Sequence, residues 1–230
     1  MTKTIGLSVS LIFINSMCLP GAASVGPGAV WRPSAEKIRI IMQKCGNAQS
    51  SDLSTCFLTE MRASGASPEA VTFSRRLNED TKGQIGFLHD FREAGEVDVG
   101  YVEYVFRANE NLACYLVNGI PPLMDVDNTR ILETNSLERN IRYAAIKARY
   151  PKISIWPGDR NRTMYPLARD LSRGGKRFIV SYWLQNGCHA CERIGSVQFA
   201  FDFDETGKFL GTQLQSVEGA ANTGQRSMKH

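Results

Sequence analysis

From Ser34 onward the apolar positions fall at helical steps. In SAEKIRIIMQKCG, Ile38, Ile41, Met42 and Cys45 recur every three or four residues, which aligns them on one face of a helix that Ser34 caps and Gly46 ends. SDLSTCFLTEMRASG repeats the device with Leu53, Cys56, Phe57 and Met61. The link GNAQSS between them is short, so the two helices are expected to double back as a hairpin. SPEAVTFSRRLNED predicts a third helix. Ser67 caps it, Pro68 takes the first helical position, where a missing N–H costs nothing, and Val71, Phe73 and Leu77 form the buried side. QIGFLHDFREAG reads as a fourth, shorter helix ending at Gly95, which makes residues 25–95 a helical N-terminal unit of three to four helices.

Beyond residue 95 the period changes from helix to strand. VDVGYVEYVF and NLACYLV are rich in β-branched and aromatic residues, and Asn109-Glu110-Asn111 between them offers a turn, so a hairpin over about 97–118 is expected. After Pro121-Pro122 and a short extended piece, SLERNIRYAAIKARY predicts one amphipathic helix, with Leu137, Ile141, Ala144, Ala145 and Ala148 as its apolar stripe and Pro151 closing it. RFIVSYWLQ then alternates Phe178, Val180, Tyr182 and Leu184 against Ile179, Ser181 and Trp183. SVQFAFDFD alternates Val197, Phe199, Phe201 and Phe203 against Ser196, Gln198, Ala200 and Asp202. KFLGTQLQSV adds a third strand with Leu210 and Leu214. Connections this short demand antiparallel neighbours. The fold class is therefore α+β: a helical N-terminal unit followed, over residues 96–218, by a mainly antiparallel sheet with one amphipathic helix. The segment 219–230 has no periodicity and reads as a flexible tail.

The first 24 residues alter the picture. MTKTIGLSVSLIFINSMCLPGAAS has a basic start at Lys3, an apolar run to Cys18, a break at Pro20 and small residues after it, the order of a secretory signal peptide cleaved after Ala23 or Ser24. Asn15-Ser16-Met17 ahead of Cys18 lacks the small residue that lipid attachment needs there. No other stretch has eighteen uninterrupted apolar residues, so no membrane insertion is expected after removal of the signal, and the location is periplasmic or extracellular. Processing leaves about 206 of the 230 residues, enough for a real core without disulfides. Of 27 basic residues Lys3 is lost and the 23 acidic ones remain, a balance of +3 that selects no charged partner. Arg139, Arg142, Lys147 and Arg149 are read as a solvated helix face, and nucleic acid is excluded as a partner.

Export makes the cysteines informative, because disulfides persist outside the cytosol. Cys45 and Cys56 flank the turn between the first two helices and are expected to form a structural disulfide. Cys114, inside a strand, is the candidate for the one left over. Cys188 and Cys191 lie in NGCHACERIG, with His189 and Glu192 beside them, and this is the chemically densest segment of the chain.

RFIVSYWLQNGCHACERIG resembles the active-site segment of the thioredoxin family, where an apolar strand leads into Cys-x-x-Cys. The resemblance implies a thiol-disulfide oxidoreductase with Cys188 as nucleophile. In that family a long helix follows the first cysteine, and its N-terminus activates the thiol. Here GSVQFAFDFD follows with a period of two, and 39 residues remain after Cys191, too few for the rest of such a fold. A hairpin tip closed by a Cys188–Cys191 disulfide fits the pattern better. Such a loop holds His189 and Glu192 outward as a preorganised contact surface. The exported Ivy-type lysozyme inhibitors are similar in device, since they too present a cysteine-bracketed, histidine-containing loop between strands.

Other chemistry has weaker support. A structural zinc site usually needs four ligands, and Cys188, Cys191 and His189 supply three at most, with His89, Cys45 and Cys114 on distant elements. In FDFDETGKFLG, Asp202, Asp204, Thr206 and Gly207 match early positions of a calcium loop, but Gln213 stands where a bidentate Glu is required. Gly207 is better explained by a hairpin turn. Asp125 and Asp127 of MDVDNTR lack the central glycine. No hydrolase motif occurs. The expectation is a non-enzymatic binding or inhibitory module without cofactor or metal, presenting the Cys188, His189, Cys191, Glu192 loop to another exported or envelope protein. The alternatives are a thiol-disulfide oxidoreductase and a metal-binding protein.

Overall fold

Capping residues open the first helices where the sequence places them. In the computed structural model, which describes residues 24–47, 50–108, 111–158, 166–188 and 190–219, α1 (Ala35–Cys45) begins where the Ser34 hydroxyl accepts from the Lys37 N–H. After α2 (Ser50–Ala63), α3 (Pro68–Asp80) starts under Ser67, whose hydroxyl accepts from the Ala70 N–H at 3.0 Å. A Cys45–Cys56 disulfide, with Cα atoms 5.7 Å apart, ties α1 to α2 across their turn. Ile41, Phe57, Met61 and Val71 close with Trp31, Ile85 and Phe87 into one apolar cluster. The expected leader falls almost wholly outside the described residues, as does the tail from residue 220.

QIGFLHDFREAG is a strand, not the expected fourth helix. Residues Gly86–Arg92 form β1, antiparallel to β2 (Asp98–Tyr104), and the register slips between Leu88 and Asp90, which makes His89 the extra residue of a bulge. The bulge breaks plain alternation, so Phe87, Leu88 and Phe91 imitate helical spacing. β3 (Leu112–Val117) and β4 (Leu123–Asp125) complete a four-stranded antiparallel sheet in the order β1-β2-β3-β4. One face, with Leu88, Val102, Ala113 and Val117, packs on Phe73 and Leu77 of α3 and on Val25 and Ala29.

The expected helix over 136–150 is two helices. α4 (Thr134–Glu138) and α5 (Ile141–Arg149) are separated by Arg139 and Asn140. The Asn140 carboxamide oxygen accepts from the N–H groups of Arg142 and Tyr143 at 3.0 and 3.2 Å and restarts the helix as an N-cap. The restart rotates the apolar face. Tyr143 is buried, whereas Ile141, expected in the stripe, is 83 % exposed, and Ala144, Ala145 and Ala148 are exposed too.

A second antiparallel sheet holds β5 (Ile153–Pro157), β6 (Leu167–Asp170), β7 (Lys176–Asn186), β8 (Arg193–Phe203) and β9 (Phe209–Gly219). β7, β8 and β9 form the expected meander, while β5 and β6 share the other edge of β7, opposite residues 182–186 and 176–179 respectively. Its inward residues Phe178, Val180, Tyr182, Leu184, Val197, Phe199, Phe201 and Phe203 are buried. They meet Val99, Tyr101, Cys114, Leu116 and Met124 of the first sheet, together with Leu137 and Tyr143. Each such side chain contributes roughly 1.5–3 kcal/mol by leaving water. The described chain is thus α+β, with α3, the first sheet and the second sheet stacked as successive layers.

Candidate functional site

The alternation of β7 and β8 fixes what the loop between them can be. Leu184 pairs with Gly195 and Gln185 with Arg193, so Ile194 is an extra residue on β8 and the two strands kink just below the turn. Above the kink the Asn186 N–H donates to the Glu192 carbonyl at 3.0 Å, and the Cys191 N–H to the Cys188 carbonyl at 3.0 Å. Gly187 has φ +98, a conformation that a side chain would resist. Within this frame Cys188 and Cys191 are disulfide-bonded, with Cα atoms 5.0 Å apart. Cys188, Ala190 and Glu192 are exposed and Cys191 is half-buried. His189, expected at the centre of the loop, lies outside the described residues.

The loop has a foot that the sequence reading did not assign. The Ser154 hydroxyl of β5 donates to the Gly187 carbonyl at 3.0 Å and accepts from the Trp156 indole N–H at 2.8 Å. Trp156 is paired across the sheet with Trp183, and the Arg193 guanidinium lies 4.9 Å from the Trp183 ring centroid. Residues 183, 185, 154 and 156 alternate with the inward positions 184, 153 and 155, so they share the outward face. Gln185 is nevertheless 97 % buried there, and its Oε1 has no hydrogen-bond partner among the described residues. The signal available in the sequence was Trp183, a large aromatic on the polar side of an alternating strand. ISIWP gives little sign of β5, because it is five residues long and ends in proline.

The remaining candidates are accounted for as structure. Asp202 is held by Arg177 through Nε and Nη2 at 2.7 and 2.6 Å. Asp204 Oδ1 accepts from the Thr206 N–H and hydroxyl and from the Lys208 N–H at 2.7–2.9 Å, and these bonds, the Thr206 hydroxyl foremost, hold its carboxyl below the usual range. Gly207, at φ +77, completes the β8–β9 turn. Asp127 accepts from the Cys114 backbone N–H, and Cys114, in neither disulfide, is buried in β3. His89 sits on the first sheet with Nδ1 3.1 Å from Glu103 Oε2. Among the described residues no three His, Cys, Asp or Glu side chains are grouped to hold a metal ion, and no helix is long and apolar enough to cross a membrane.

Comparisons with protein families, curated proteins and solved structures find no match.

Proposed function

We propose that this chain is an exported, non-enzymatic binding or inhibitory module that offers the Cys188–Cys191 loop to another exported or envelope protein. The observation that carries this reading is the path of the chain after Cys191. It enters β8 at Arg193, so the sulfur pair sits on a hairpin tip and receives neither the dipole nor the free N–H groups of a helix N-terminus. Two disulfides and the apolar leader support export. A four-residue ring chiefly fixes shape, and a loop already ordered loses less entropy on binding.

Mapping of the native protein with iodoacetamide, coupled to a thiol-reductase assay, tests the reading. It expects Cys188 and Cys191 to resist alkylation until reductant is added, with no catalysed turnover. Turnover abolished by Cys188→Ser would establish the oxidoreductase instead. Stoichiometric zinc by elemental analysis, dependent on both cysteines, would establish the metal-binding alternative.

A further inference from the structure

A buried amide oxygen without a partner is uncommon in a folded protein, because it loses water and gains nothing. Among the described residues Gln185 Oε1 is such an atom, and it stands where three other features converge. Trp183, two residues earlier on the same outward face, is half-buried. Ser154 stands opposite Gln185 on β5 and is pinned to the loop through Gly187. Arg193 stands opposite Gln185 on β8, exposed, with its guanidinium over the Trp183 ring. A single cation–π contact at an exposed site is weak, so Arg193 can leave the Trp183 ring at little cost.

Among the described residues the charges around this spot cancel. Lys152, which lies against Gly187, and Arg193 are matched by Glu192 and by Glu218, which pairs with Ser196 opposite Trp183. An acidic peptide or a nucleic acid needs a cationic surplus that the described residues here do not supply. A purely apolar ligand would leave the amide oxygen unsatisfied. A neutral sugar meets both demands. Its polarised C–H face stacks on an indole, and its hydroxyl or acetamido N–H donates to a buried acceptor.

We propose that the outward face of β5, β7 and β8, at the foot of the Cys188–Cys191 loop, binds a neutral glycan bearing acetamido groups. Trp183 is the stacking platform, Gln185 the buried acceptor and Arg193 the donor at the rim. The inference rests on the cysteine pair being a brace, since the brace keeps the Gly187 carbonyl and Ser154 in register with Gln185.

Titration of the full chain with chitohexaose, followed by calorimetry and tryptophan fluorescence, tests it, with cellohexaose and hexaglutamate as comparisons. Chitohexaose is expected to bind saturably and more tightly than cellohexaose, and hexaglutamate not at all. Trp183→Ala should weaken binding by about tenfold or more. Gln185→Leu should weaken it similarly while melting no lower than the parent, because it removes an unsatisfied acceptor. That split separates a ligand contact from a structural role. Absence of saturable chitohexaose binding at millimolar concentration, unaltered binding by Gln185→Leu, or preference for hexaglutamate overturns the proposal. If binding fails while the disulfide stays inert, this inference alone falls; if thiol-reductase turnover appears, the reading beneath it falls.

Discussion

Two tyrosines show how much one buried polar contact constrains the chain. The Tyr104 and Tyr115 hydroxyls lie 2.5 Å apart in the first sheet, with the Arg107 guanidinium 3.6 Å from the Tyr104 ring centroid. Burial drives both phenols upward, Tyr104 to about 12 from an ordinary 10.0. Above pH 10 an unfolded tyrosine releases a proton that the folded one keeps, so the tyrosine contribution to stability should be level from pH 8 to 10 and fall as the pH rises toward about 12. Urea midpoints measured from pH 8 to 12 check this, and Tyr104→Phe combined with Tyr115→Phe should flatten the decline. Asn118 carries a comparable load. At φ +69 it accepts from the Val25 N–H at 2.7 Å, donates to the Val25 carbonyl at 2.8 Å and donates to buried Asp98 at 2.7 Å. Asn118→Ala removes all three bonds and places alanine in the left-handed region, an expected loss of about 3 kcal/mol in denaturant unfolding. Neither role was legible in the sequence, because each depends on partners at least eleven residues away.

At the scale of elements, legibility followed regularity. α1 and α3 carry unbroken helical periods and clear N-caps, and β7 and β8 alternate plainly over residues 178–184 and 196–203, so each lies within a few residues of where the sequence predicts it. In β1 and in the α4–α5 pair one residue resets the phase and makes the period misleading, His89 by bulging and Asn140 by capping a new helix. The α5 correction is testable by paired substitutions. Ile141→Lys should change stability by no more than about 0.5 kcal/mol, whereas Tyr143→Ala should cost about 3 kcal/mol, the reverse of what an unbroken helix predicts. The two disulfides differ in the same currency. Cys45–Cys56 spans eleven positions and Cys188–Cys191 three. Loop-closure entropy then expects about 3 kcal/mol lost on replacing the first pair with serine and about 2 kcal/mol on replacing the second, read from denaturant midpoints.

For the molecule as a whole, the division of labour between the sheets matters most. The first sheet is covered on both faces, by α3 and by the second sheet, and its buried Tyr104 and Tyr115 hydroxyls are bonded to each other. The second sheet gives one face to the core and turns Ser154, Trp156, Trp183 and Gln185 outward beneath a cross-linked tip. The sequence disclosed the tip, since Cys188 and Cys191 are close in the chain. It did not disclose the foot, which β5 assembles from some thirty residues away. The central claim is that the cysteine pair shapes a surface and does not shuttle electrons. Its most direct test is the rate at which the reduced protein is alkylated at Cys188 across pH, beside its turnover in a thiol-reductase assay. The account predicts reactivity no greater than that of an unassisted thiol and turnover at the uncatalysed background; fast alkylation persisting in mild acid, with turnover lost in Cys188→Ser, would contradict it.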